Sequence, residues 1–259
     1  MEIIAKVSRG SKMDQIYLPK KRSGFLAGQY VLIQPIESPK EIKNPFFYGI
    51  ESLEPIKTKL IEEIFSLIEK RADFENVIIT GSFLEPGFSF NDIDVLIIGR
   101  KARGLDKVIE KLIGIKTHII FISNQELIKG LETDPLYQLM LSKCASIKRI
   151  IYKITPKINY QLLDLHLLKS KTLIDNFEAF DGNEKYYLIR NMIAIKLFIE
   201  HKKVSQERVN KDIRSLFNLD ATQIKKNLLN KNFLNKYRKI YEKISDLIMK
   251  RIKSIRSEK

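Results

Sequence analysis

The chain contains no tryptophan and a single cysteine, Cys144, among its 259 residues. One thiol excludes an internal disulfide. Nowhere do apolar residues run on for the ~18 to 20 positions that a membrane span requires. That excludes a spanning helix, and no membrane partner is expected. The opening Met1-Glu2-Ile3-Ile4-Ala5-Lys6 lacks the pattern of an export signal. Together with the lone cysteine this predicts a cytoplasmic protein. Acidic side chains are scarce: 31 Asp and Glu stand against 46 Lys and Arg, for a net charge of +15. A chain this basic attracts polyanions. The same charge argues against a polycationic substrate such as an aminoglycoside, which favours an acidic pocket.

What remains is ordinary for a folded protein. The hydrophobic content is 44%, and the length suffices for two or three domains. The charge is uneven. From His201 onward there are 17 Lys and Arg against 6 Asp and Glu, so +11 sits in the last 59 residues. A polyanion surface is therefore expected towards the C-terminus.

The chain is organised around Asn76 to Gly99. Val77-Ile78-Ile79-Thr80 is an apolar, β-branched run that ends in Gly81-Ser82. A loop follows, and Asp92-Ile93-Asp94 opens a second apolar run, Val95-Leu96-Ile97-Ile98. Both runs predict buried strands. Side chains alternate along a strand, so Asp92 and Asp94 point one way and Ile93 the other, towards the core. Two adjacent carboxylates repel and call for a cation. A hard divalent ion held by one or two carboxylates and substrate phosphates is the natural partner. Gly81 lets backbone approach a ligand, and Ser82 offers a hydroxyl and an N–H at the strand end.

This succession of strand, Gly-Ser, loop and Asp-x-Asp opening a second strand resembles the nucleotidyltransferase superfamily that includes DNA polymerase β and the minimal nucleotidyltransferases. The resemblance implies an enzyme that transfers NMP from an NTP substrate to an acceptor hydroxyl with Mg²⁺ or Mn²⁺ as cofactor. Asp92 and Asp94 would be the catalytic metal ligands, and Gly81 and Ser82 would hold phosphates. One departure stands out. A third carboxylate usually faces the first two from the next strand, here expected over Lys116 to Ile122. That strand has none, and Lys116 and His118 occupy the alternating positions where it would stand. Three readings follow. Two Asp suffice with phosphates and water; Glu126 or Glu132 completes the site; or catalysis is lost and the fold only binds nucleotides. His118 is either a general base or a strand histidine at the sheet edge.

Before this region, residues 3 to 36 read as short strands punctuated by Gly and Pro. Their order, Lys-Val-Ser-Arg-Gly, Ile-Tyr-Leu-Pro-Lys, then Gly-Gln-Tyr-Val-Leu-Ile, is similar to the AbrB/SpoVT swapped-hairpin fold. That resemblance implies a homodimer through residues 1–44 and, in many such modules, DNA binding. Ser38 to Phe47 reads as a linker and Leu53 to Arg71 as an amphipathic helix. Leu105 to Leu112 is a short helix stopped by Gly114.

From Asp134 onward helices are expected: Leu136 to Cys144, Tyr160 to Lys171, Tyr186 to His201, and one long amphipathic pattern from Lys225 to Arg256. Ile150-Ile151 suggests a short strand. Arg190 lies in apolar surroundings and needs a partner. That partner is a nucleotide phosphate, as for basic residues after the catalytic domain in this superfamily, or an internal carboxylate such as Asp164 or Glu178. The basic C-terminal helix is a solvated bundle face or a track for nucleic-acid phosphates.

The expected fold class is α+β in three parts: a small β module (1–44), a nucleotidyltransferase-like mixed α/β sheet (45–153) and a basic helical domain (154–259). The expected activity is metal-dependent nucleotidyl transfer to RNA, for example a tRNA end, with DNA as the other nucleic-acid partner. Two alternatives belong to other classes. One is a nucleotide- or DNA-binding protein with an impaired transferase fold. The other is a protein-modifying adenylyltransferase of a toxin–antitoxin type.

Overall fold

The computed structural model describes residues 7–16, 24, 44–229 and 232–257. The chain divides into two compact units, Met1–Glu41 and Ile42–Lys259. In the first, β1 (Val7–Ser8) pairs antiparallel with β2 (Gln15–Ile16), Val7 opposite Ile16 and Ser8 opposite Gln15. The Gly10 N–H donates to Asp14 Oδ1 across the intervening turn. The remainder of the swapped-hairpin resemblance and the expected dimer lie outside the described residues.

The second unit is built on a five-stranded mixed sheet of order β3-β7-β4-β5-β6. Its strands are β3 (Phe46–Tyr48), β4 (Phe74–Thr80), β5 (Ile93–Gly99), β6 (Thr117–Ile122) and β7 (Cys144–Ser146). β5 and β6 run parallel, and the other neighbours are antiparallel. The period of two sorts the central strands onto two apolar layers. Val77, Ile79, Ile93, Val95 and Ile97 face one core, with α1 (Pro55–Glu69) and α2 (Leu105–Ile113) over it. Ile78, Leu96 and Ile98 face the other, against Leu127 and Leu131 of α3 (Asn124–Thr133).

Local chemistry sets the helix limits. Pro55 starts α1, where a missing N–H costs nothing. Gly114 ends α2 in the left-handed conformation. Ser123 and Glu126 cap α3 reciprocally.

A third core belongs to the helices α4 (Pro135–Leu141), α5 (Tyr160–Asp175), α6 (Gly182–Ile199), α7 (Gln206–Phe217), α8 (Ala221–Lys225) and α9 (Phe233–Ser257). Thirteen of the eighteen residues of α6 are buried, so it is the central helix of this layer. The architecture is thus mixed α/β, with nine α-helices among the described residues. None of them is long and apolar enough to cross a membrane.

Several expectations need correction. Cys144 lies in β7, because the helix stops at Leu141 and the buried Cys-Ala-Ser run joins the sheet between β3 and β4. Phe46-Phe47 belongs to β3, not to a linker. Ile150-Ile151 forms no strand. The long C-terminal pattern is helical only from Phe233, in α9; α8 ends at Lys225, and Asn227 at φ 60° turns the chain after it. Its N–H closes on the Ile224 carbonyl, and the Leu228 N–H on that of Gln223.

Candidate metal and phosphate site

β4 is antiparallel to β5, and β5 is parallel to β6. The end of β4 therefore meets the beginnings of the other two strands. Thr80 stands opposite Asp94, and Asp94 opposite His118. Ile93 is fully buried while Asp92 and Asp94 remain part-exposed, the alternation expected from the sequence.

Gly81 follows β4 at φ 89° and ψ −164°, a region close to glycine-only. A Cβ at this position would overlap Asp94 Oδ2. Glycine is required here because the carboxylate packs onto bare backbone. Ser82 then opens a short 3-10 turn, Ser82–Leu84, whose Phe83 and Leu84 are buried and anchor it. Ser82 itself stays exposed.

The loop from Gly81 to Asp92 is held by a side chain that sequence reasoning missed. Lys57, on the first turn of α1, is fully buried. Its ammonium donates to the Glu85 carbonyl at 2.6 Å and to the Gly87 carbonyl, and pairs with Glu54 at 3.0 Å. The rings of Phe83, Phe88 and Phe90 surround it at 5.4 to 5.7 Å. Glu54 in turn accepts from the Gly87 N–H. That N–H, Glu54's own backbone N–H and Lys57 hold the Glu54 carboxyl down to about 2. A cluster of Phe residues around one distant Lys was the available signal, but only the fold connects them.

Asp92, Asp94 and His118 converge so that one ligand atom from each lies within 4.8 Å of the others. His118 Nδ1 is 3.4 Å from Asp92 Oδ2 and 3.8 Å from Asp94 Oδ1. Burial pushes the Asp94 carboxyl above its ordinary value, the Asp92 charge adds to the rise, and His118 opposes it. A cation between the carboxylates would relieve this repulsion, so the donor set fits a divalent ion. Glu126 and Glu132 do not join it. Glu126 is engaged in the cap of α3, and Glu132 pairs with Lys157 at 2.9 Å.

Arg190 of α6 faces the same region. A cavity of about 460 Å³ is lined by Gly81, Ser82 and Asp94 on the sheet side and by Tyr186, Tyr187, Arg190 and Asn191 on the helix side. The Arg190 guanidinium lies 5.0 Å from the Tyr187 ring centre, and its Nη2 donates to Asn191 Oδ1 at 3.4 Å. Its Nε is buried and has no partner. Neither Asp164 nor Glu178 pairs with it, nor does any other described carboxylate. Lys143 also lines the cavity, but its charge is met by Glu85 at 3.2 Å. Gln206 holds the other Glu85 oxygen at 2.8 Å.

The cavity thus has Asp94, one member of a repelling carboxylate pair, at one wall and an incompletely satisfied cation at another. No protein-family model matches the chain, and no match was found among curated proteins or solved structures. Its geometry therefore carries the functional argument alone.

Proposed function

We propose that this chain is a metal-dependent nucleotidyltransferase resembling the polymerase β class, transferring NMP from an NTP to an acceptor hydroxyl on RNA. The observation that carries the reading is the shared cavity: Asp94 and Arg190, a cation that no carboxylate among the described residues meets, line it together, with Gly81 and Ser82 beside them. Carboxylates that want a cation and an arginine that wants an oxyanion are jointly satisfied by a metal–triphosphate.

In this reading Gly81 and Ser82 receive the β- and γ-phosphates through backbone N–H and hydroxyl. Arg190 donates to phosphate oxygens. A divalent ion, when bound at Asp92 and Asp94, supplies neutralisation of the charge that builds on the phosphates. The acceptor oxygen attacks the α-phosphorus in line, the bond to the β-phosphate bridging oxygen breaks, and pyrophosphate leaves. The hydroxyl proton passes to water, which reaches the part-exposed Asp92 and Asp94. Exposed Lys236, Lys239 and Lys243 on α9 would draw in the RNA backbone.

The test is label transfer from each α-labelled NTP to total RNA and protein, with Mg²⁺ or Mn²⁺. Label on RNA that vanishes in Asp92→Ala/Asp94→Ala is the expected result. Arg190→Ala should weaken NTP binding by about 10- to 100-fold, the worth of a charged hydrogen bond. Label on polypeptide would replace this reading with protein modification. A second reading, a nucleotide-binding protein without catalysis, is favoured by one observation: the third donor on β6 is His118, not a carboxylate. NTP binding with no label on any acceptor would select it.

A further inference from the structure

The distances around His118 are informative in themselves. A charge-assisted hydrogen bond between imidazolium and carboxylate closes to about 2.7–2.9 Å. Here the two separations are 3.4 and 3.8 Å, too long for such a bond. Donors about 2.1 Å from one ion are about 3.0 Å apart in adjacent positions and about 4.2 Å apart in opposite ones. The two separations lie within about 0.4 Å of the adjacent and the opposite spacing respectively, a shift that side-chain rotation supplies. The backbone holds the set: Asp94 and His118 are register partners on neighbouring parallel strands, and Asp92 lies one alternation away. Nothing else competes for the imidazole among the described ion pairs, and its side chain is 49% exposed, leaving the remote nitrogen to water.

We propose that Asp92, Asp94 and His118 form a mixed carboxylate–imidazole site that takes a first-row transition ion in preference to Mg²⁺, with His118 Nδ1 as the third donor. The inference rests on reading Asp92 and Asp94 as a cation site. Mg²⁺ demands oxygen ligands and gives up water reluctantly. Transition ions accept imidazole, with affinity rising from Mn²⁺ along the series. A nitrogen donor therefore adds affinity for them and little for Mg²⁺. Mn²⁺ is the weakest binder of that series, which makes it the strictest probe.

The experiment uses the full chain and Mn²⁺ titration followed by electron paramagnetic resonance, with Mg²⁺ as competitor. Mn²⁺ should bind at least about tenfold more tightly than Mg²⁺, and the bound ion should show ¹⁴N coupling. His118→Ala should lose the coupling and about tenfold in Mn²⁺ affinity, while Mg²⁺ affinity stays within about twofold. His118→Asp should also lose the coupling and move the preference towards Mg²⁺. Absence of ¹⁴N coupling in the wild type, or Mn²⁺ affinity unchanged in His118→Ala, would overturn the proposal. Nitrogen-coupled Mn²⁺ without label transfer to any acceptor would overturn the transferase reading and leave the metal site standing. Label transfer by a wild type that shows no ¹⁴N coupling would do the reverse.

Discussion

Replacing Gly81 by Ala tests the site through a single methyl group, and Gly87 supplies its control. Both glycines have positive φ, 89° and 82°; alanine carries a backbone cost of about 1–2 kcal/mol at Gly87 and up to about 3 kcal/mol at Gly81, whose ψ of −164° puts it close to glycine-only. Loss of unfolded-state freedom returns about 0.4–1 kcal/mol of that. A net destabilisation of about 1 kcal/mol is expected for Gly87→Ala and of about 2 kcal/mol for Gly81→Ala. The space around the new methyl differs. At Gly87 nothing lies within 4 Å, whereas at Gly81 the methyl collides with Asp94 Oδ2. The carboxylate has to retreat by about 1 Å to restore an ordinary contact. A displacement of that size at a reacting centre costs on the order of 100-fold in rate. Urea denaturation should therefore give a modestly lower midpoint for Gly81→Ala than for Gly87→Ala, with both variants folded in dilute buffer. Label transfer and Mn²⁺ affinity should collapse in Gly81→Ala alone. Equal activity in the two variants would refute the placement of Asp94 as a working ligand.

Other perturbations follow from the same contacts. The Asp94 carboxyl sits above its ordinary value of 3.8, so the folded chain binds this proton more tightly than the unfolded one, and the group's contribution to stability falls as pH rises through that window. Asp94→Asn should therefore stabilise the metal-free protein at pH 7 in denaturant titrations, with the gain vanishing below the ordinary value. Lys57→Met strands Glu54 and two carbonyls and should cost about 3 kcal/mol by urea denaturation; a loss near zero would mean that the loop does not depend on this ammonium. Lys236→Glu/Lys239→Glu/Lys243→Glu on α9 should weaken single-stranded RNA binding and lower the slope of log affinity against log salt by about 2. An unchanged slope would remove α9 from the RNA surface. Cys144 is fully buried, and burial pushes its thiol up to about 12, so iodoacetamide should label it only on unfolding.

The parts legible in the sequence are those with long, single-period signals. β4 and β5 announce themselves by β-branched runs, α1 by its three-to-four spacing, and the end of α2 by Gly114. β3 and β7 are three residues each, too short to display any period, and they exist because β4 offers an edge to β7 and β7 in turn offers one to β3. The break after α8 rests on one left-handed Asn, while the apolar stripe continues across it. At the site, Gly81, Ser82, Asp92 and Asp94 are close in sequence and were readable together. The resemblance put His118 at one of the two positions where a third carboxylate would face the pair; that it, and not Lys116, stands beside Asp94 rests on the parallel register of β5 and β6, which spacing does not encode. Arg190 was visible as a charge among apolar residues, but whether it met a carboxylate depended on how α6 packs.

That packing has a consequence for heat. α6 contributes the middle of the helical core and, from the same turns, the arginine wall of the cavity. On that side the wall is this buried helix itself. Warming should leave the pocket intact until the core itself gives way, so ligand affinity and helical signal should disappear at one temperature. Mutations that soften Ile193 or Leu197, which do not line the cavity, should be felt as lost binding at elevated temperature before they are felt at a cool bench.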